Sequence, residues 1–213
     1  MSFEKGLLVL NNPKAGSNNQ HITSKLKKYL AANHINYHVI DTDRANHGYD
    51  LAKTKDLSVY DAILTIGGDG TIHEIVNGLS EREDRVPLIL MPQGTGNDLC
   101  RAFHLNTSED TFKVLEKPSV ISIDVLKITL DKKKEESKYS VINTCLGIPA
   151  KANHQAKTLK PYFGRHSYVL GALLHIITHS PEIYDIEVDG CLVEQAFDTS
   201  LMFICNGKHG GGG

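Results

Sequence analysis

The sequence predicts an α/β fold: an N-terminal three-layer α/β domain with a mostly parallel sheet, followed by a mainly antiparallel, β-sandwich-like domain. Three observations carry this. Short apolar runs alternate with helical segments as far as Lys117, the grammar of a parallel sheet covered by helices on both faces. Three of those runs end in glycine-bearing loops, "NNPKAG" (11–16), "GGDGT" (67–71) and "PQGTGND" (92–98). After Pro118 the pattern turns to long, partly alternating runs with hairpin signals.

Taken in order, "GLLVLNN" (6–12) is a buried strand, and Ile22, Leu26, Tyr29 and Leu30 recur at helical spacing within 17–34. "NYHVID" (36–41) alternates and reads as a strand, and a helix occupies 46–56. "DAILTI" (61–66) is a strand and "TIHEIVNGLS" (71–80) a helix. "VPLILMP" (86–92) is a strand, "GNDLCRAF" (96–103) a short helix, and 107–117 a helix opened by a Thr/Ser cap. Beyond the change, 120–130 is a long strand, "DKKKEES" a charged hairpin loop and 138–147 the return strand. Helices follow at about 149–159 and 166–179, and 183–206 is strand broken by an Asp189-Gly190 turn. The domain boundary falls near 118–123, dividing 1–120 from 121–213.

Composition narrows the function. A chain of 213 residues suffices for one large domain or two small ones. With 40% hydrophobic and 23% charged residues it reads as soluble and globular. A net charge of -2 argues against a general nucleic-acid binder, so no nucleic-acid partner is expected. No apolar run approaches the roughly 20 residues of a membrane helix; "YVLGALLHII" (168–177) reads as a core helix. The N-terminus shows no signal-peptide pattern. Cys100, Cys145, Cys191 and Cys205 never form C-x-x-C, which suits free thiols in a reducing cytoplasm.

In an open parallel sheet, ligands bind at the carboxyl ends of the strands. Parallel strands would bring the three glycine loops to one edge. Each loop suits phosphate: glycine lets the backbone approach closely, successive N–H groups make an anion cradle, and a helix N-terminus follows. Thr71 and Thr95 add hydroxyls. Asp69 stands out, because a carboxylate repels phosphate. It makes sense beside a bridging Mg²⁺, as the base that takes a hydroxyl proton, or as a turn aspartate bonded to local N–H groups. Glu74 either points back at the loop or closes a capping box on the turn of Thr71. Asp98 sits in the first turn of its helix, where a carboxylate is stabilised in any case. Neither G-x-x-x-x-G-K-[ST] nor G-x-G-x-x-G occurs.

"NPKAG", "GGDGTIHEIVNGL" and "GTGNDLCRAF", in this order and spacing, resemble the catalytic domain of the diacylglycerol kinase and sphingosine kinase family, above all the soluble bacterial lipid kinases. GGDG alone also occurs in NAD kinases and phosphofructokinases; the pairing with GTGND is specific. The resemblance covers essentially the whole chain. It implies an ATP-dependent kinase acting on a lipid hydroxyl, with diacylglycerol converted to phosphatidic acid. Carried over by motif, Asn12, Pro13, Lys14, Ala15, Gly16, Gly68, Asp69, Gly70, Thr71, Ile72, His73, Glu74 and Thr95 contact ATP, and Thr42 joins them. Asp69 sits at the phosphates with Mg²⁺ and is the candidate base; Asn97 and Asp98 form a supporting network. The implied partners are ATP and a lipid at the membrane surface, met from the cytoplasm at the inner membrane face, and a homodimer is one assembly this allows. The family's chain continues past its GGG loop with further strands, acidic residues for a structural Mg²⁺ site and an Asp-Gly that supplies the base in bacterial members; Asp189-Gly190, which precedes the loop, is not that pair. A truncated member with an incomplete second domain is therefore expected. The alternatives are a nucleotide-binding but inactive fragment and a soluble-substrate kinase of the NAD kinase type.

Two other clusters weigh less. His175 and His179 lie in "HIITH", which lacks the glutamate of H-E-x-x-H, and read as half-buried histidines. "KTLKPYFGRHSY" (157–168) mixes basic and aromatic residues, which suits either an anionic headgroup surface or a solvated connection.

Overall fold

The computed structural model describes residues 3–129, 137–163, 169–171, 173 and 181–207. The strands β1 (Leu7–Asn11) and β3 (Ala62–Gly67) are buried at every position, as expected of apolar runs in a sheet covered on both faces. With β2 (Tyr37–Asp41) and β4 (Leu88–Pro92) they form a sheet of order β2-β1-β3-β4. All three pairings are parallel, with Val9 opposite both Val39 and Leu64, and Ile66 opposite Met91.

The strand alternation assigns the two faces. Leu7, Val9, Leu64, Ile66 and Met91 pack with Leu26 and Leu30 of α1 (Asn19–Ala32) and with Phe112 and Leu115 of α5 (Ser108–Glu116). Leu8, Leu10 and Ile63 face the other way, onto Ala52 of α2 (His47–Thr54) and Ile75 and Leu79 of α3 (Asp69–Ser80). Each such leucine or isoleucine removed from water contributes about 1.5–3 kcal/mol. A third cluster joins Ile72 of α3 to Leu90 of β4, to Leu99 and Cys100 of α4 (Asp98–Ala102), and to Val141.

The chain parts into two compact units. One runs to Ile142 and takes back Asn206 and Gly207; the other is Asn143–Cys205. The first unit includes β5 (Leu126–Thr129) and β6 (Ser137–Ser140), an antiparallel pair fastened to α3 by Asn77. The Asn77 amide donates to Tyr139 O at 2.8 Å and its carbonyl accepts from Tyr139 N at 2.9 Å. The long strand expected over 120–130 shortens to β5, and Val120 and Ile121 stand 57% and 62% exposed.

The second unit contains β7 (Asn143–Gly147), α6 (Ile148–Phe163), β8 (Glu182–Val188), β9 (Cys191–Thr199) and β10 (Leu201–Cys205). β7 pairs with β10 and β8 with β9, both antiparallel. The Asp189-Gly190 turn is present, with φ of 53° and 78°, the positive pair of a tight hairpin. Most of the helix expected at 166–179, His175 and His179, the "DKKKEES" loop and the glycine end lie outside the described residues, as do the side chains of 160–168. No helix among the described residues is long and apolar enough to cross a membrane.

Candidate functional site

The parallel register brings the ends of β1, β3 and β4 to one edge, and the three glycine loops meet there. Asn12 Nδ2 donates to Thr71 Oγ1 at 2.9 Å, joining the first loop to the second. Gly16 adopts φ +64° against Gln93, where a Cβ would lie 2.9 Å from Gln93 O, joining the first loop to the third. The second and third loops touch backbone to backbone. A Cβ on Gly68 would stand 2.8 Å from Gly94 Cα, and one on Gly94 2.5 Å from Gly68 Cα. Only glycine on both sides permits that approach.

Each loop is also braced from within. Asn12 Oδ1 accepts from Lys14 N, and Asn19 Nδ2 donates to Asn12 O. Asn97, in the left-handed region at φ 56°, closes a ring on Gly94: its Oδ1 accepts from Gly94 N at 2.7 Å and its Nδ2 donates to Gly94 O at 2.9 Å. Asn97 therefore shapes the GTGND turn. Thr95 is exposed at its tip.

Asp69 is not a loop residue but the first residue of α3, with Gly68 as the N-cap. Thr71 N and Ile72 N donate back to Gly68 O; helix geometry leaves the amides of Asp69 and Gly70 without a carbonyl one turn back. The Asp69 carboxylate accepts from Leu99 N at 3.4 Å through Oδ1, so it leans on the start of α4. Oδ2 makes no hydrogen bond among the described residues. Asp98 is buried at that same helix start, 3.7 Å from the Arg101 guanidinium. Beside them Cys100 is fully buried, and burial first, then the Asp69 charge, pushes its thiol up to about 12. Such a thiol stays protonated and is not a nucleophile. Among the described residues no group of three His, Cys, Asp or Glu side chains is placed to hold a metal ion.

The remaining predicted residues divide. Pro13, Lys14 and Gly16 are exposed on the first loop, Ala15 is half-buried, and Gly70 and His73 are exposed on α3. Thr42 is buried, with its N–H on Asn11 O at 2.7 Å, so it continues the same edge beyond β2. Ile72 points its side chain into the core; it can meet a ligand through its backbone only. Glu74 neither points back at the loop nor closes a capping box on Thr71's turn. Both of its oxygens accept backbone N–H bonds at the start of α2. Sequence reasoning missed Asn77, although a buried asparagine within the apolar "EIVNGL" run is a signal that it needs a partner.

A parallel sheet whose carboxyl edge gathers three glycine loops, with a helix opening from the middle one, defines an open α/β fold, the class in which ligands bind at the carboxyl ends of the strands. The family follows from the comparison: residues 6–128 match the diacylglycerol kinase catalytic domain, and the chain belongs to that family. The sphingoid long chain base kinase 4 of Schizosaccharomyces pombe (strain 972) is 29% identical over 197 residues, 85% of this chain and 41% of that relative. Human sphingosine kinase 1 is 36% identical over 105 residues, 46% of this chain and 27% of its own. A solved diacylglycerol kinase of Bacillus anthracis str. Sterne is similar in fold, with TM-score 0.69 and 26% identity, covering 98% of this chain and 66% of that one. The chain thus spans less than half the length of these two curated relatives.

Proposed function

We propose that this edge binds the phosphates of ATP, and that the chain carries the nucleotide-binding and phosphoryl-transfer site of a lipid kinase. The observation that carries the reading is the backbone contact between Gly68 and Gly94, which joins the GGDGT and GTGND loops into one cradle that a Cβ would fill. Amides of Asp69 and Gly70 at the start of α3, the loop of Asn12 to Gly16, and the hydroxyls of Thr71 and Thr95 supply donors to phosphate oxygens. Thr42 lines the same edge further along.

In the transfer, the lipid hydroxyl oxygen forms a bond to the γ-phosphorus, the bond from the β,γ-bridging oxygen breaks, and ADP leaves. Asp69 accepts the hydroxyl proton, for which Oδ2 is available. The same carboxylate, beside the phosphates at the start of α3, is the side chain that would hold Mg²⁺. When bound, that ion supplies charge neutralisation at the transferring group. Catalysis otherwise rests on positioning and amide donors.

Diacylglycerol is the acceptor we propose first. A sphingoid base is the second, favoured by the sphingoid long chain base kinase that aligns over 85% of this chain. Either acceptor lies in a bilayer, so the protein would meet the cytoplasmic membrane face from the aqueous side. The test is transfer of radiolabelled γ-phosphate to mixed micelles containing diacylglycerol or sphingosine, with and without Mg²⁺. Labelled phosphatidic acid is the expected product. ATP binding with no transfer to either lipid would identify the chain as a nucleotide-binding portion only. In a protein of full family length, Asp69→Ala should cut transfer by about a hundredfold or more with circular dichroism unchanged. Undiminished transfer in that variant would sink the role given to Asp69.

A further inference from the structure

We propose that Glu74 is a positioning residue for the nucleoside end of the ATP site: it holds the turn after β2 and does not itself touch the phosphates. The proposal rests on the ATP reading above. Glu74 Oε1 accepts from Asn46 N at 2.9 Å, and Oε2 accepts from Gly48 N at 3.1 Å. These are opening amides of α2, which has no side-chain cap of its own and begins on a left-handed Asn46 at φ 62°. A carboxylate there satisfies orphan donors and opposes the positive end of the helix dipole. Gly48 makes the approach feasible, since a Cβ at that position would lie 3.1 Å from Oε2 and 3.4 Å from Glu74 Cβ.

The far end of α2 is held in the same manner with the opposite charge. Arg82, just past α3, donates through Nη1 to the carbonyls of Ala52, Lys53 and Lys55 at 3.1, 3.1 and 2.6 Å. It is fixed in turn by Asp84 at 2.6 Å. Helices α2 and α3 are therefore one clamped piece. Its α3 end carries the GGDGT loop, and its α2 end carries the turn from Thr42 to Gly48.

Both ends lie on the carboxyl edge of the sheet. The order β2-β1-β3-β4 sets the β2 turn two strands from the GGDGT loop, about 10 Å along the edge at ordinary strand spacing. With the phosphates on α3, that separation suits the sugar or base. Glu74 then fixes the nucleoside wall relative to the phosphate cradle. Arg82 grips the same helix at the end remote from the site.

Calorimetric titration of the chain with ATP and, separately, with inorganic tripolyphosphate tests this. Glu74→Ala should weaken ATP about tenfold and leave tripolyphosphate within about twofold. Glu74→Gln, which keeps a single carbonyl acceptor, should fall between and carries the test if the alanine variant does not fold. Arg82→Ala should lower the melting temperature and leave both affinities unchanged, whereas a merely structural Glu74 would behave like Arg82. Unchanged ATP binding in Glu74→Ala, or an equal loss of tripolyphosphate, would overturn the proposal. A wild-type chain that binds neither probe overturns the ATP reading itself, and this proposal with it.

Discussion

At the scale of residues, the glycines of this edge are not interchangeable. Gly68 and Gly94 face each other's backbone, where a Cβ at 2.8 or 2.5 Å meets a main-chain carbon that no rotamer change can move. Gly70, in the same motif, has nothing within 4 Å. Alanine at Gly68 or Gly94 should therefore force the loops apart and cost about 1–3 kcal/mol in urea unfolding. Alanine at Gly70 should stay within about 0.5 kcal/mol of wild type. Equal losses at the three positions would show that the loops yield freely and that their contact is incidental. The sequence marks all three glycines alike; the difference between them comes from a neighbour on another strand.

At the scale of elements, α5 shows how much a short local pattern decides. Thr107 Oγ1 accepts from Asp110 N, and the Asp110 carboxylate accepts from Thr107 N at 3.0 Å and Asn106 N at 3.1 Å. The cap is legible in "NTSED" because its partners lie within four residues. Thr107→Ala should cost about 1 kcal/mol at neutral pH. The Lys113 ammonium first, and then Thr107, hold the Asp110 carboxyl down to about 2. A depressed carboxyl stabilises the fold above its unfolded pKa of about 4 and loses that contribution as pH falls through the folded value. The stability difference between wild type and Asp110→Asn should accordingly be full at neutral pH and shrink as pH falls from about 4 to 2. A difference constant across that window would remove Asp110 from the cap. By contrast α2 is capped by Glu74, 26 and 28 residues further along the chain, and nothing local announces it.

At the scale of the whole molecule, burial is uneven. Leu7, Leu8, Val9, Leu10, Ile63 and Leu64 are completely buried, whereas Ile183, Val193 and Phe203 of the second unit are 70%, 62% and 50% exposed. Native-state hydrogen exchange should find the slowest amides in β1 and β3 and the fastest strand amides in β8 and β9. Uniform protection across both units would contradict this. The parallel sheet, its helices, the hairpin at Asp189-Gly190 and the residues of the three loops were legible in the sequence. They depend on periodicity, on two-sided apolar runs and on turn chemistry, all of which act over a few residues. The tertiary structure alone decided that Gly68 meets Gly94, that Glu74 serves α2, and that Asn77 fastens Tyr139 from 62 residues away. It also places β5 and β6 in the first compact unit, which runs to Ile142. The physical reason is the same in each case. A carboxylate or amide side chain carries its hydrogen-bonding capacity in the sequence, but which distant donor satisfies it is settled only when packing brings the strands into register.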